Sequence, residues 1–334
     1  MRHRIVHGSA KGKRNSARPK SRNAGRRFEL ALLLAIAAAA FGGAGADAQG
    51  SRTLLESKES LYNNIYVYKD GNFISMTFGY NRTIYTESVY NTRDDRDLPV
   101  AYTQFMTESL VYAREIKSVL EIGFGGGRTS WYLHRFLPNV PVTSVELDPA
   151  VLELAQKYFG IREEPNFHVV NKDGRVFLAE SKEKYDVILI DAYRGPFVPF
   201  HLLTKEFYQL VRDHLAEGGV VAQNVEPSTM LFDSAVNTIH SVFPNVDFYL
   251  AEGNVVTIAY DGPARRTEEL SAVAGKRQAE LQMRYDLQVM LSYRKPFVPG
   301  SSPVDPNAKV LTDDFAPVET LKAIEQHNRK WTGQ

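Results

Sequence analysis

The chain contains no cysteine, which excludes disulfides, thiolate metal sites and cysteine nucleophiles. It also lacks a long apolar run. The longest stretch, Leu30 to Phe41, is rich in Ala and falls short of the ~20 residues that cross a bilayer, so a polytopic membrane protein is excluded. A concentrated basic face is missing from the body of the chain. The overall net charge of +1 hides an uneven distribution, because residues 1–27 are rich in Lys and Arg and hold no acid. Without residues 1–48, the 40 basic and 39 acidic residues fall to 30 and 37, a net charge of −7. A mildly acidic body gives no support for nucleic-acid binding. What is present is ordinary for folded protein: 334 residues, 43% hydrophobic and 24% charged, enough for two or three domains.

Residues 1–48 run from a basic stretch ending Arg26-Arg27, through the apolar run, to Ala46-Asp47-Ala48. This order predicts a secretory signal cleaved before Gln49, and hence an exported chain. Left uncleaved, the same segment would be a membrane anchor; with a later start, the protein would stay in the cytoplasm.

Residues 49–60 read as a polar lead-in. Ile65–Tyr68 and Phe73–Phe78 flank Asp70-Gly71 and predict a β-hairpin. Gly79-Tyr80-Asn81 predicts a second turn before a third strand over Arg82–Thr86. From Ser118 short apolar runs alternate with amphipathic stretches. Strands are expected at 119–122, 142–145, 167–170, 187–190 and 220–222, and helices at 129–136, 149–158, 174–180, 204–215 and 229–242. This alternation predicts a doubly wound α/β sheet of the class I S-adenosylmethionine methyltransferase-like type, preceded by a small β-hairpin domain. Strands 246–250 and 255–260 would add an antiparallel edge hairpin. Residues 263–294 predict one long helix, and 317–330 a short one. The expected domains are 1–48, 49–98, 99–262 and 263–334, the last a helical extension.

The richest motif is Gly123-Phe124-Gly125-Gly126-Gly127-Arg128, between a strand and a helix. Glycines let a ligand approach the backbone, and the helix start offers free N–H groups. A dinucleotide fingerprint would need Gly at 128. The G-x-G-x-G form at Gly123, Gly125 and Gly127 instead matches S-adenosyl nucleoside enzymes. Glu146, at the end of the second strand, is placed to grip ribose hydroxyls, while Asp148 before Pro149 is read as a helix cap. Asp173 reads either as an acceptor for the adenine amino group or as a plain Asp-Gly turn. Asp191, Tyr193 and Arg194 follow the fourth strand, at the sheet edge where α/β enzymes place chemistry. His201, His214 and His240 have no metal-ligand spacing and read as surface or helix-face residues. Thr312 to Phe315 read either as a helix cap or as a segment reaching the pocket from the C-terminus, and Tyr80, Tyr85 and Tyr90 as strand packing or a cleft lining.

From Glu56 to Tyr260 the chain resembles the spermidine synthase family of aminopropyltransferases. The likeness rests on Glu59-Ser60-Leu61-Tyr62, the glycine loop, Val145-Glu146-Leu147-Asp148, Asp173-Gly174, Tyr185 to Asp191, and Leu203 to Tyr208. It implies an N-terminal β-domain, a homodimer, a small-molecule substrate, and S-adenosylmethionine or its decarboxylated form as co-substrate, with no metal. Asp191 matches the first Asp of the family's D-S-S-D-P motif, but the second falls on Arg194. The loop's Asp falls on Gly126, its last glycine on Arg128, and the Gln after the early Tyr on Asn63. Two charges 4 Å apart interact by roughly 4 kcal/mol at an effective dielectric of 20. Replacing Asp by Arg beside an ammonium therefore predicts a poor diamine substrate, with Arg128 and Arg194 suited to an anionic group. The alternatives are a non-catalytic nucleoside binder and a methyltransferase acting on an anionic small molecule.

Overall fold

A computed structural model of the chain describes residues 52–80, 83–195, 197–300 and 303–314. The expected signal segment and the helix near 317–330 lie outside these residues.

Four antiparallel strands form the first sheet in sequence order: β1 (Thr53–Glu59), β2 (Asn64–Asp70), β3 (Phe73–Tyr80) and β4 (Thr83–Asn91). The Asp70-Gly71 turn is present, with Gly71 at φ +55°. Ile65, Val67, Ile74, Met76 and Phe78 alternate along β2 and β3 and bury one face. The lead-in over 53–59 is a strand, contrary to the sequence reading. Its side chains are mostly exposed and its two leucines are adjacent, so this edge strand carries no alternating apolar signal. Gly79 is likewise not a turn residue; it pairs with Asn64 and Ile84 inside the sheet.

Two short helices, α1 (Ala101–Met106) and α2 (Ser109–Tyr112), lead into the second sheet. Its strands are β5 (Val119–Ile122), β6 (Val142–Glu146), β7 (Phe167–Asn171), β8 (Tyr185–Ile190), β9 (Leu215–Val225), β10 (Asn245–Ala251), β11 (Asn254–Tyr260) and β12 (Lys295–Pro296). They lie in the order β12-β10-β11-β9-β8-β5-β6-β7. The five from β5 to β9 are parallel, and the β10–β11 hairpin adds antiparallel to β9. The interior strands β5 and β8 are buried at every position, as a sheet covered on both faces requires.

The crossovers carry α3 (Arg128–Phe136), α4 (Pro149–Tyr158), α5 (Gly174–Glu180), α6 (Lys205–Asp213) and α7 (Phe232–Val242). Trp131, Leu154 and Phe159 pack on one face of the sheet together with Val67 of the first sheet. Leu178, Phe207, Ile239 and Phe243 pack on the other. The chain order reverses between β5 and β8, and this switch point is where open α/β sheets form a crevice. The expected single helix over 263–294 is two, α8 (Thr267–Leu281) and α9 (Leu287–Leu291). Gln282 adopts φ +49° and ends the first, and Asp286 caps the second.

Candidate functional site

The crevice at the switch point opens into a cavity of about 1010 Å³. The glycine loop after β5 forms one wall. Gly123, Gly125 and Gly127 have φ of +93°, +52° and +67°, conformations that side chains rarely adopt. At Gly127 a Cβ would lie 2.2 Å from the Phe124 ring. Gly126 is closed in a different way. Its N–H donates to Ser88 Oγ of β4 at 2.8 Å, and a Cβ there would meet Phe159 at 2.6 Å. The first sheet thus docks on the loop through β4.

Glu146 holds the loop. Its Oε2 accepts from the N–H of Phe124 (3.0 Å) and Gly125 (3.3 Å), and its Oε1 from Asp148 N (2.9 Å). Burial pushes its carboxyl up, and the three backbone N–H groups partly restore it. Asp148 does cap α4, accepting from Ala150 N at 3.0 Å, and it also accepts from Ser60 and Asn63.

Asp191 follows β8 and faces the cavity. Asn224 donates to its Oδ1 at 3.0 Å, and Tyr102 hydrogen-bonds to it as well. Burial lifts its carboxyl to about 6. Tyr193 lines the same wall and donates to Asn224 O at 3.0 Å. Opposite stands Glu87 of β4, a residue the sequence reading passed over. Its Oε1 is shielded from solvent and has no hydrogen-bond partner. Burial, then the nearby Asp191 and Glu146 charges, push its carboxyl well up. Its only local signal was an acid in a β-branched strand, and the topology that aims it at Asp191 is not local.

Arg128 is the main correction. The anion-binding role expected of it is taken by the protein's own acceptors. Its guanidinium is buried, donating to Phe159 O at 3.0 Å and to Asp95 O at 2.5 Å, and it lies 4.4 Å over the Tyr90 ring. Asp95 also accepts from Trp131 Nε1 at 3.0 Å. Arg128 therefore fastens the start of α3 to the segment after β4. Arg194 is exposed at the cavity rim.

Asp173 caps α5, its Oδ1 accepting from Val176 N at 3.0 Å. Its Oδ2 lies 2.9 Å from His201 Nε2, and this contact holds its carboxyl below the usual range. His201 is thus a cavity residue rather than a plain surface one. His214 is a helix-face residue, bonded to Leu210 O. Asp313 forms an ion pair with Arg175; the helix it was expected to cap lies outside the described residues. Among the described residues no group of three His, Asp or Glu is arranged to hold a metal.

Glu121 lies in β5 beneath the loop, 2% exposed. Ser144 Oγ donates to it at 2.9 Å, yet burial lifts its carboxyl to about 8. The folded state therefore binds this proton more tightly than the unfolded chain. Stability from this group is present at low pH and is lost as pH rises from about 5 to 8, by up to ~1.4 kcal/mol per pH unit. Urea unfolding at pH 5, 6, 7 and 8 should show Glu121→Gln with a flatter decline than wild type. Parallel declines would assign the titration elsewhere.

The fold and the switch-point cavity define an α/β domain of the spermidine synthase/methyltransferase-like kind. Residues 100–255 match the spermine/spermidine synthase domain, and the chain is similar to polyamine aminopropyltransferases. It is 27% identical over 280 residues to a polyamine aminopropyltransferase of Vibrio vulnificus, covering 82% of this chain and 93% of that one. A spermidine synthase solved with the transition-state analogue AdoDATO superposes with a TM-score of 0.57 at 25% identity, over 72% of this chain and 83% of that one. Human methyltransferase-like protein 13, solved with SAH, gives 0.51 at 25% identity, over 55% of this chain and 94% of that one.

Proposed function

We propose that this protein transfers the aminopropyl group of a decarboxylated S-adenosyl donor to an amine nitrogen, with Asp191 as proton acceptor. The observation that carries the reading is the Asp191 carboxyl, at the end of β8 in the switch-point cavity and lifted to about 6. Adenine would meet Asp173 and the ribose hydroxyls Glu146, whose oxygens keep lone pairs beyond the backbone N–H groups they hold.

The amine attacks as a neutral nitrogen. The new N–C bond forms as the C–S bond of the sulfonium breaks, the thioether leaves as methylthioadenosine, and Asp191 takes the proton released by nitrogen. A base with a pKa near 6 is ionised at neutral pH and still basic enough to act.

Acceptor recognition differs from the family pattern. Gly126 admits no side chain without moving Phe159 and Ser88, and Arg194 stands where the resemblance places a second Asp. Glu87 brings a carboxyl from β4 to the same cavity. With Arg128 committed to Asp95 and Phe159, an acid-lined cavity disfavours the carboxylate of intact S-adenosylmethionine and favours the decarboxylated donor. Methyl transfer from intact S-adenosylmethionine is the second reading, supported by the SAH-bound neighbour and by Arg194 at the rim.

The deciding assay offers both donors with a set of primary amines and follows methylthioadenosine and S-adenosylhomocysteine. Amine-dependent methylthioadenosine release is expected. S-adenosylhomocysteine as the main product would select the second reading, and binding of methylthioadenosine without turnover would select a non-catalytic nucleoside binder.

A further inference from the structure

Arg175, on the first turn of α5, makes a set of contacts that the transfer reaction does not use. Its two terminal nitrogens grip Asp313 as a fork, Nη1 at 2.8 Å from Oδ1 and Nη2 on Oδ2. The same Nη1 donates to His201 O at 3.1 Å and to Thr204 Oγ1 at 3.3 Å. Thr204 caps α6. Asp313 is fixed from a further side, its N–H donating to Glu206 Oε2 at 2.9 Å. The segment bearing Asp313 is anchored just before it, where Lys205 N donates to Leu311 O at 2.8 Å and Leu311 is buried. One guanidinium therefore joins α5, the short 3-10 turn Phe200–Leu202, the start of α6 and the C-terminal segment. A bidentate Arg–carboxylate pair is well suited to this, because its fork fixes direction as well as distance.

The result of that convergence is the position of His201. Its carbonyl is held by Arg175, and its ring reaches Asp173 Oδ2. Asp173 is then fixed at both oxygens, by Val176 N and by His201 Nε2. Each carboxylate oxygen keeps a second lone pair, and Asp173 lines the cavity. A carboxylate held in this way presents an acceptor in one direction; one free to rotate would bond water or the base indifferently.

Resting on the nucleoside site proposed above, we infer that the Arg175–Asp313 clamp, acting through His201, is a positioning device that makes Asp173 select adenine by its amino group. His201 and Asp313 are positioning residues, and Asp173 is the group that touches the base. A purine with a keto oxygen at that place offers no donor to Asp173 and sets two acceptors face to face, which a fixed carboxylate rejects more strongly than a mobile one.

Calorimetry of the full chain with methylthioadenosine and methylthioinosine tests this. Wild type is expected to prefer methylthioadenosine. His201→Ala should reduce the preference about tenfold, chiefly by weakening the adenine ligand, and His201→Gln, which keeps a donor, should restore most of it. Asp313→Ala should reduce it about threefold or more, with the thermal midpoint as a check that the chain is folded. Base preference unchanged in both Ala variants would overturn the inference while leaving the nucleoside site intact. A sharper preference in His201→Ala would overturn it too, since His201 would then be competing with the base. No binding of either nucleoside by wild type would instead remove the nucleoside reading on which the inference rests.

Discussion

Asp191→Asn should lower amine-dependent methylthioadenosine release by about two to four orders of magnitude, the span that a positioned general base contributes. The substitution keeps the shape of the side chain and an acceptor oxygen, so Asn224 and Tyr102 can still bond to it. What it removes is the ability to take a proton. Nucleoside affinity should change little, because the expected base and ribose contacts lie on Asp173 and Glu146. The pH profile separates this from a loss of folding. With the wild-type carboxyl at about 6, the rate should fall as pH drops below about 6, because the protonated acid cannot accept a proton. The residual rate of the Asn variant should lack that limb. A variant with near wild-type turnover and the same acid limb would place the base elsewhere, with Glu87 the nearest alternative.

The largest effect on the fold is expected from Gly123→Ala. A Cβ there would lie 2.3 Å from Asp191 O, 2.5 Å from Asp191 C and 2.7 Å from Ala192 Cα. All three are backbone atoms of the strand end beside it, so no side-chain rotation relieves the clash. The residue also sits at φ +93°. Overpacking costs about 1–3 kcal/mol and an unfavourable backbone conformation about 1–3 more, so a loss of roughly 2–6 kcal/mol is expected. The damage falls on the crevice itself, because the only escape is to part the ends of β5 and β8. Methylthioadenosine binding should disappear with the stability. Gly71→Ala is the control: its φ is +55° but a Cβ there meets nothing within 4 Å, so only backbone strain is added. Urea unfolding that showed equal losses at the two glycines would mean that the close approach at Gly123 has little energetic weight.

The parallel strands and their helices were legible because each is a local pattern. β5 and β8 are short apolar runs, buried at every position. α4 announces itself through Asp148 and Pro149, and the cap is formed as expected. The glycine loop was equally legible, since three positive-φ positions leave almost no residue but glycine. The sequence reading failed where the deciding partner is remote. β1 is a strand because β2 pairs with it, and no apolar period marks it. The long C-terminal helix breaks at Gln282, where no glycine or proline gives warning.

The site divides along the same line. Residue type and spacing along the chain were enough to bring Glu146, Asp173 and Asp191 to one cavity, because the parallel strands of a doubly wound sheet all end at the same edge. Two arginines read as one charge change became different objects once folded. Arg194 is exposed at the rim, whereas Arg128 is buried against Asp95, 33 residues before it in the chain. Glu87 and His201 joined the site only through folding, one from the antiparallel sheet and the other from a turn clamped by Arg175. A sequence lists which charges a protein owns, and its periodicity sets which elements they ride on. Whether a given charge meets solvent, a partner or an empty cavity depends on contacts between distant segments, and those contacts belong to the tertiary structure alone.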